Sequence, residues 1–153
     1  VLNKNLVLLS VFGDIYDVNL VDLSISKKNN FILKQGISIK SNIFDFVTYE
    51  GFYTNTQYGV KDILVSGDNL YVSFINEKKE NCFNLKILVS KINREKLDFK
   101  KFYETSECVD KKNKHGYLAH QWAGGRMFAT DSSLYFTTGE LNVTPKILSV
   151  ILP

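Results

Sequence analysis

Between residues 62 and 105 the chain reads "DILVSGDNLYVSFINEKKENCFNLKILVSKINREKLDFKKFYET". Apolar, β-branched and aromatic residues come here in short runs, each bounded by a polar cluster, and no helical period is sustained. Strands are expected at 63–65, 70–75, 85–92 and 97–103. Ser66-Gly67-Asp68-Asn69 reads as a tight turn, because Gly and Asn tolerate a positive φ. "NEKKEN" reads as a polar loop and "NREK" as a short polar connection. Four strands joined this closely make an up-and-down antiparallel meander, and a sheet of that kind must bury at least one face against another layer.

The pattern recurs. "SGDNLYVSF" around Tyr71 is echoed by "TDSSLYFTT" around Tyr135, and more weakly by "FGDIYDVNL" around Tyr16. Tyr16 precedes Tyr71 by 55 residues and Tyr135 follows it by 64. The weak echo is also compatible with Tyr16 standing one strand later in its unit. A four-stranded unit repeating at roughly 50–60 residues is what a β-propeller blade requires. The expected fold is therefore all-β: a β-propeller fragment of about two and a half four-stranded blades. A blade end covers about 1–50, a full blade about 57–105 and a partial blade about 115–153. A sandwich or barrel with coincidental Leu-Tyr and Ile-Tyr pairs is the other architecture. Propellers close with roughly four to eight blades, so the expectation is a piece of a longer ring.

Composition narrows the function classes. Hydrophobic residues make up 44% and charged residues 23%, as in a globular domain, and the 13% aromatic content leans towards sheet. The net charge of +3 comes from scattered pairs, Lys27-Lys28, Lys78-Lys79, Lys100-Lys101 and Lys111-Lys112, with only Arg94 and Arg126 besides single lysines. A nucleic-acid interface would be a dense basic stripe; these pairs read as solvated turns and edge strands. No apolar run approaches the roughly 18 residues of a membrane span, and no signal-peptide cleavage site can be made out. Cys82 and Cys108 belong to no Cys-x-x-Cys or Cys/His cluster of zinc spacing, so no metal site is expected from them. They are either two thiols or one disulfide.

In a blade, the first strand lies innermost, and the loops entering it open on the same face as those joining the second strand to the third. "YEGFYTNTQYGVK" leads into the first strand of the full blade. "KNKHGYLAHQWAGG" leads into that of the next, near 126–129, and "TGELN" follows the second strand of that blade. Gln57, His120 and Glu140 are then expected at one mouth of the channel. His120 is the candidate base, since an imidazole of pKa about 6.5 takes a proton near neutrality. Glu140 is the candidate carboxylate that would orient it, and Gln57 could orient a polar substrate. Arg126 could hold an anion or form a salt bridge between blades. His115 has only a loop role in its favour, and Trp122 reads as the cap of a blade interface. Asn142 opens an Asn-x-Thr sequon, which matters only in a secreted eukaryotic protein.

"HQWAGGRMFATDSSLYFTTGE" resembles the His-Gln-x-Gly-Arg … Leu/Ile-Tyr-x-Thr-x-Gly-Asp signature of the soluble quinoprotein glucose/sorbosone dehydrogenases, and "TQYGVKDILVSGD" is similar to that family's Gln-Gly-Gly-Leu-Leu-Asp-Val segment. The resemblance implies a six-bladed propeller that binds pyrroloquinoline quinone (PQQ) and calcium and oxidises a sugar or polyol by hydride transfer to the quinone. It implies His120 as the base, Glu140 as its supporting carboxylate and Gln57 as a substrate contact. It also implies a periplasmic or secreted location, which would favour a Cys82–Cys108 disulfide. Glu140 stands where the family has Asp, Tyr58 fills a usual Gly position, and "HQWAGGR" is longer than the commonest form. The family's cofactor-binding arginines, lysine and calcium loops lie in later blades, outside this sequence. A binding propeller that kept the fold without the cofactor is the alternative function, and a small self-contained β-domain is a third.

Overall fold

The computed structural model describes residues 5–10, 13–19, 37–47, 59–93, 95–113, 116–118, 124–138 and 147–151. The described chain is almost all β, with one short 3-10 helix at Ile43–Phe46. It forms three larger sheets, antiparallel except for one parallel pairing, and a two-stranded ribbon.

The first sheet holds β1 (Asn5–Leu9), β2 (Ile15–Asn19) and β3 (Ile37–Ser41) in order, each antiparallel to the last. The second holds β4 (Val60–Ser66), β5 (Asn69–Lys79), β6 (Cys82–Lys91) and β8 (Lys100–Glu104) as a sequential meander, with β9 (Val109–Asp110) also paired to β6. Between β6 and β8 lies β7 (Lys96–Leu97), which leaves the meander and pairs parallel with β3 of the first sheet. The ribbon is β10 (Lys112–Asn113) with β11 (Gly116–Tyr117). The third sheet holds β12 (Met127–Ala129), β13 (Ser133–Thr137) and β14 (Ile147–Ile151).

The sheets stack on one another, and the central one is covered on both faces. Side chains alternate across a strand, and on β5 both alternating sets are buried. Leu70, Val72 and Phe74 join Ile15, Ile39 and Ile43 of the first-sheet segment, together with Leu97 and Phe99. Tyr71 and Ile75 instead join Phe83, Leu85 and Ile87 and meet Leu134 and Phe136 of the third sheet. An antiparallel strand with one wet face would alternate polar and apolar residues; burial on both faces is what makes "NLYVSFI" nearly continuous in apolar character. Asn42 locks the first junction: its amide donates to the Phe99 carbonyl at 3.1 Å and its oxygen accepts the Phe99 N–H at 2.7 Å.

The expected meander is present, with three corrections. The "NEKKEN" loop is mostly strand: β5 runs to Lys79, β6 starts at Cys82, and the reversal takes only Glu80 and Asn81. Asn81 adopts a φ of 58°, and its N–H is accepted by the Glu77 carboxylate at 2.6 Å. The polar run can extend because buried Asn76 and Asn84 hydrogen-bond across the hairpin. The strand expected at 97–103 is broken at Asp98-Phe99, since β7 and β8 pair with different sheets. The Tyr16 echo does not carry the same facing. Ile15 and Leu70 pack into one cluster from opposing sheets, so the Ile-Tyr and Leu-Tyr pairs are not equivalent. The Tyr71 and Tyr135 pairs are: Leu70 and Leu134 each face the preceding sheet.

Cys82 and Cys108 form a disulfide, with Cα atoms 5.4 Å apart. It ties the start of β6 to the segment entering β9, beside the Cys82–Asp110 pairing. Among the described residues no helix is long and apolar enough to cross a membrane.

Candidate functional site

Gln57, His120 and Glu140 lie outside the described residues, as do His115, Trp122 and Asn142. The described part of the expected mouth is the place where the leading ends of β4 and β12 meet.

On β4, a bulge falls at Lys61. Val60 pairs with Phe74 and Asp62 with Ser73, so two residues of β4 advance against one of β5. A bulge re-aims the side chains around it. Here it lets Val60 stay in the apolar cluster on one face while Asp62 and Ser73 serve the other. One Asp62 oxygen accepts the backbone N–H of Met127 at 2.7 Å, and the other lies 3.6 Å from the Arg126 guanidinium. Asp62 is 17% exposed and Arg126 81%, so the backbone bond carries more of this contact than the surface ion pair. Ser73 donates its hydroxyl to the Gly125 carbonyl at 2.6 Å. Two side chains of the second sheet thus hold three consecutive residues at the entry to the third.

That entry is also tied to its own hairpin. The Gly125 N–H donates to the Thr137 carbonyl at 2.6 Å, and the Thr137 N–H to the Arg126 carbonyl at 3.0 Å. His120 precedes Gly124 by four residues and Glu140 follows Thr138 by two. The described backbone therefore brings together the points from which the His120 and Glu140 segments depart. Of the residues singled out in the sequence, only Arg126 is described here, and it makes the salt bridge between sheets. Asp62, Ser73 and Lys61 were missed: an Asp-Ile-Leu start and a Ser inside an apolar strand carry no local signal of a contact 52 to 65 residues away.

Lys61 is the electrostatic feature of this junction. Burial pushes its amine down from 10.5 to about 8, because desolvation disfavours the charged form. The unfolded chain keeps the ordinary value, so between about pH 8 and 10.5 it binds the proton more tightly than the fold does. Stability is then expected to rise with pH across that window, and the cost of charging Lys61 is complete below it. Partial solvent access keeps the effect near 1 kcal/mol, a Tm difference of about 2–4 °C. Melting Lys61→Met and the natural chain at pH 8 and pH 9.5 checks this: the natural chain should gain more than the variant, since burial also pushes the Lys86 amine down and that contribution is common to both. The upper limit stays below pH 10, where tyrosines ionise in the unfolded state while burial holds the Tyr71 phenol above its usual range.

Among the described residues no group of three or more His, Cys, Asp or Glu gathers to hold a metal ion. Comparison of the chain with models of protein families, with curated proteins and with solved structures gives no match in any of the three.

Proposed function

We propose that this chain is a segment of a β-propeller of the quinoprotein sugar dehydrogenase type, acting on a small sugar or polyol at the mouth formed where β4 and β12 begin. The observation that carries the reading is the edge contact of those two strands. Each is the first strand of its sheet, and the two meet through Asp62, Arg126 and Met127 while the sheets stack face to face. Sheets radiating from an axis bring their first strands together in this way, whereas an aligned sandwich joins its two sheets chiefly through the interdigitating side chains of their inner faces.

In this reading His120 takes the proton from the sugar hydroxyl, Glu140 orients its ring and Gln57 contacts the substrate. The support is the signature in which His120 and Glu140 stand, and the hydrogen-bonded closure of Gly125 on Thr137 between them. The paired cysteines support a periplasmic or secreted location. The residues that the resemblance implies for PQQ and calcium lie in later blades, outside this sequence. No step is drawn through either group.

The test is aldose- and polyol-dependent dye reduction by the full gene product, supplied with PQQ and calcium. His120→Ala is expected to lower the rate by roughly 10²–10⁴-fold, the usual loss of a general base. Unchanged activity in that variant would remove His120 from the role. Sugar binding without dye reduction in the natural protein would leave a binding propeller instead.

A further inference from the structure

Between β8 of the second sheet and β12 of the third, the chain is tied step by step to the β5–β6 hairpin. The Thr105 N–H donates to the Leu85 carbonyl at 3.0 Å, and the Lys78 amine donates to the Ser106 carbonyl at 2.7 Å. Cys108 is then bonded to Cys82, and Val109 and Asp110 pair with Phe83 and Cys82. At the hairpin turn the Asn81 carbonyl accepts the Lys111 N–H, and the Lys111 carbonyl accepts the Leu118 N–H, both at 2.8 Å. Leu118 is 6% exposed and belongs to the apolar cluster in which Phe83 and Ile87 meet Leu134 and Phe136.

This run of contacts makes Leu118 a fixed point. Gly125, held by the Ser73 hydroxyl and the Thr137 carbonyl, is a second. Residues 119–124 lie between them, His120 included. A span this short takes its placement from both ends. The Gly125 end is held by two whole sheets. The Leu118 end depends on β9, β10 and β11, each of two residues. Pairings so short are marginal alone, so the covalent bond carries that end. Cys82 is 3% exposed and Cys108 is part-exposed, so a thiol reaches the bond from the Cys108 side.

We propose that the Cys82–Cys108 disulfide is a redox-sensitive strap: its reduction by a dithiol frees β9, β10 and β11, unseats Leu118 and slows the proton transfer assigned to His120. The catalytic half rests on the dehydrogenase reading. One thiolate of the dithiol bonds to the Cys108 sulfur, and Cys82 leaves as a thiolate. The second sulfur of the dithiol then closes on the first, and Cys108 leaves. The dithiol is oxidised to a cyclic disulfide, and two electrons and two protons pass to the cysteines. Val72, Phe74 and Ile87, fully buried further along β5 and β6, keep their partners, so the opening is local.

Hydrogen exchange of the full gene product, with and without dithiothreitol, tests the strap without reference to activity. Amides of residues 109–118 are expected to lose protection on reduction, while those of residues 70–75 and 85–88 keep it. Activity is measured on Cys82→Ala/Cys108→Ala, free of reductant, because dithiols reduce the assay dye directly. Its kcat is expected to fall by roughly 10- to 100-fold, as for a displaced reacting group, with KM little changed. Leu118→Ala, which keeps the disulfide, should lower kcat in the same manner. Unchanged exchange at residues 109–118 would overturn the strap. Protection lost equally in β5 would make the bond a staple of the whole fold and overturn the switch. Local exchange with kcat unchanged in the double variant would overturn the link to His120 and leave the dehydrogenase reading standing. A natural protein inactive on every aldose and polyol would overturn that reading and the catalytic half with it, while the exchange result still decides the strap.

Discussion

Gly125→Ala is expected to lower stability by about 3 kcal/mol, a fall in Tm of roughly 6–12 °C for a chain of this size. Two costs combine. Gly125 has a φ of +96°, which an alanine adopts only with strain. A Cβ there would also stand 2.7 Å from the Cβ of Lys61, closer than real contacts allow. That neighbour is at the root of its side chain, on a strand paired to β5, so it cannot swing aside. Lys61→Ala should therefore fail to rescue the variant, while Lys61→Gly removes the clash and leaves the backbone strain. Gly67→Ala is the control: its φ is +55°, and a Cβ would meet nothing within 4 Å. It should cost only about 1 kcal/mol. Urea denaturation of the four variants gives the comparison. Equal losses at Gly67 and Gly125 would mean that the close approach of β4 to the β12 entry contributes nothing.

Removing the disulfide has a comparable expected effect. Cys82 and Cys108 are 26 residues apart, and opening a loop of that length costs about 3.5 kcal/mol through the freedom it returns to the unfolded chain. The bond also holds β9 against the beginning of β6, so the loss should be felt locally first. Amide hydrogen exchange at Val109 and Asp110 should accelerate more than at Val72 or Phe74 in the buried strand β5. Cys82→Ala/Cys108→Ala is the variant to use, since Cys82 is buried and a serine would place a hydroxyl among apolar neighbours. Denaturation midpoints that match in the natural chain and the double variant would show the bond to be dispensable.

The all-β class and the four-strand meander could be read directly from spacing, because strand-forming runs and turn residues act over a few positions. The reading failed where pairing is decided at longer range. "NEKKEN" is polar, yet Asn76 and Asn84 satisfy each other across the hairpin and the strands run on. Leu97 and Phe99 sit in an apparent single strand, but Asn42, 57 residues earlier, holds Phe99 and breaks it. Ile15-Tyr16 looks like Leu70-Tyr71 in sequence, and facing separates them.

The candidate site divides along the same line. His120, Glu140 and Gln57 drew notice because histidine, carboxylate and amide are chemically distinctive wherever they stand. Asp62 and Ser73 did not, because their importance lies in what they touch. Ser73 is a strand residue like any other until the Gly125 carbonyl arrives at 2.6 Å.

Short apolar, β-branched and aromatic runs bounded by polar clusters, a local property of the chain, were enough to determine that it builds sheets from sequential strands. Which face of each sheet meets which neighbour was decided only in the tertiary structure. That choice rests on contacts such as Asp62 with Met127 and Leu70 with Ile15, whose partners are separated by some 55 to 65 residues. Such contacts form only once the intervening chain has closed on itself, so they leave no period in the sequence to be read.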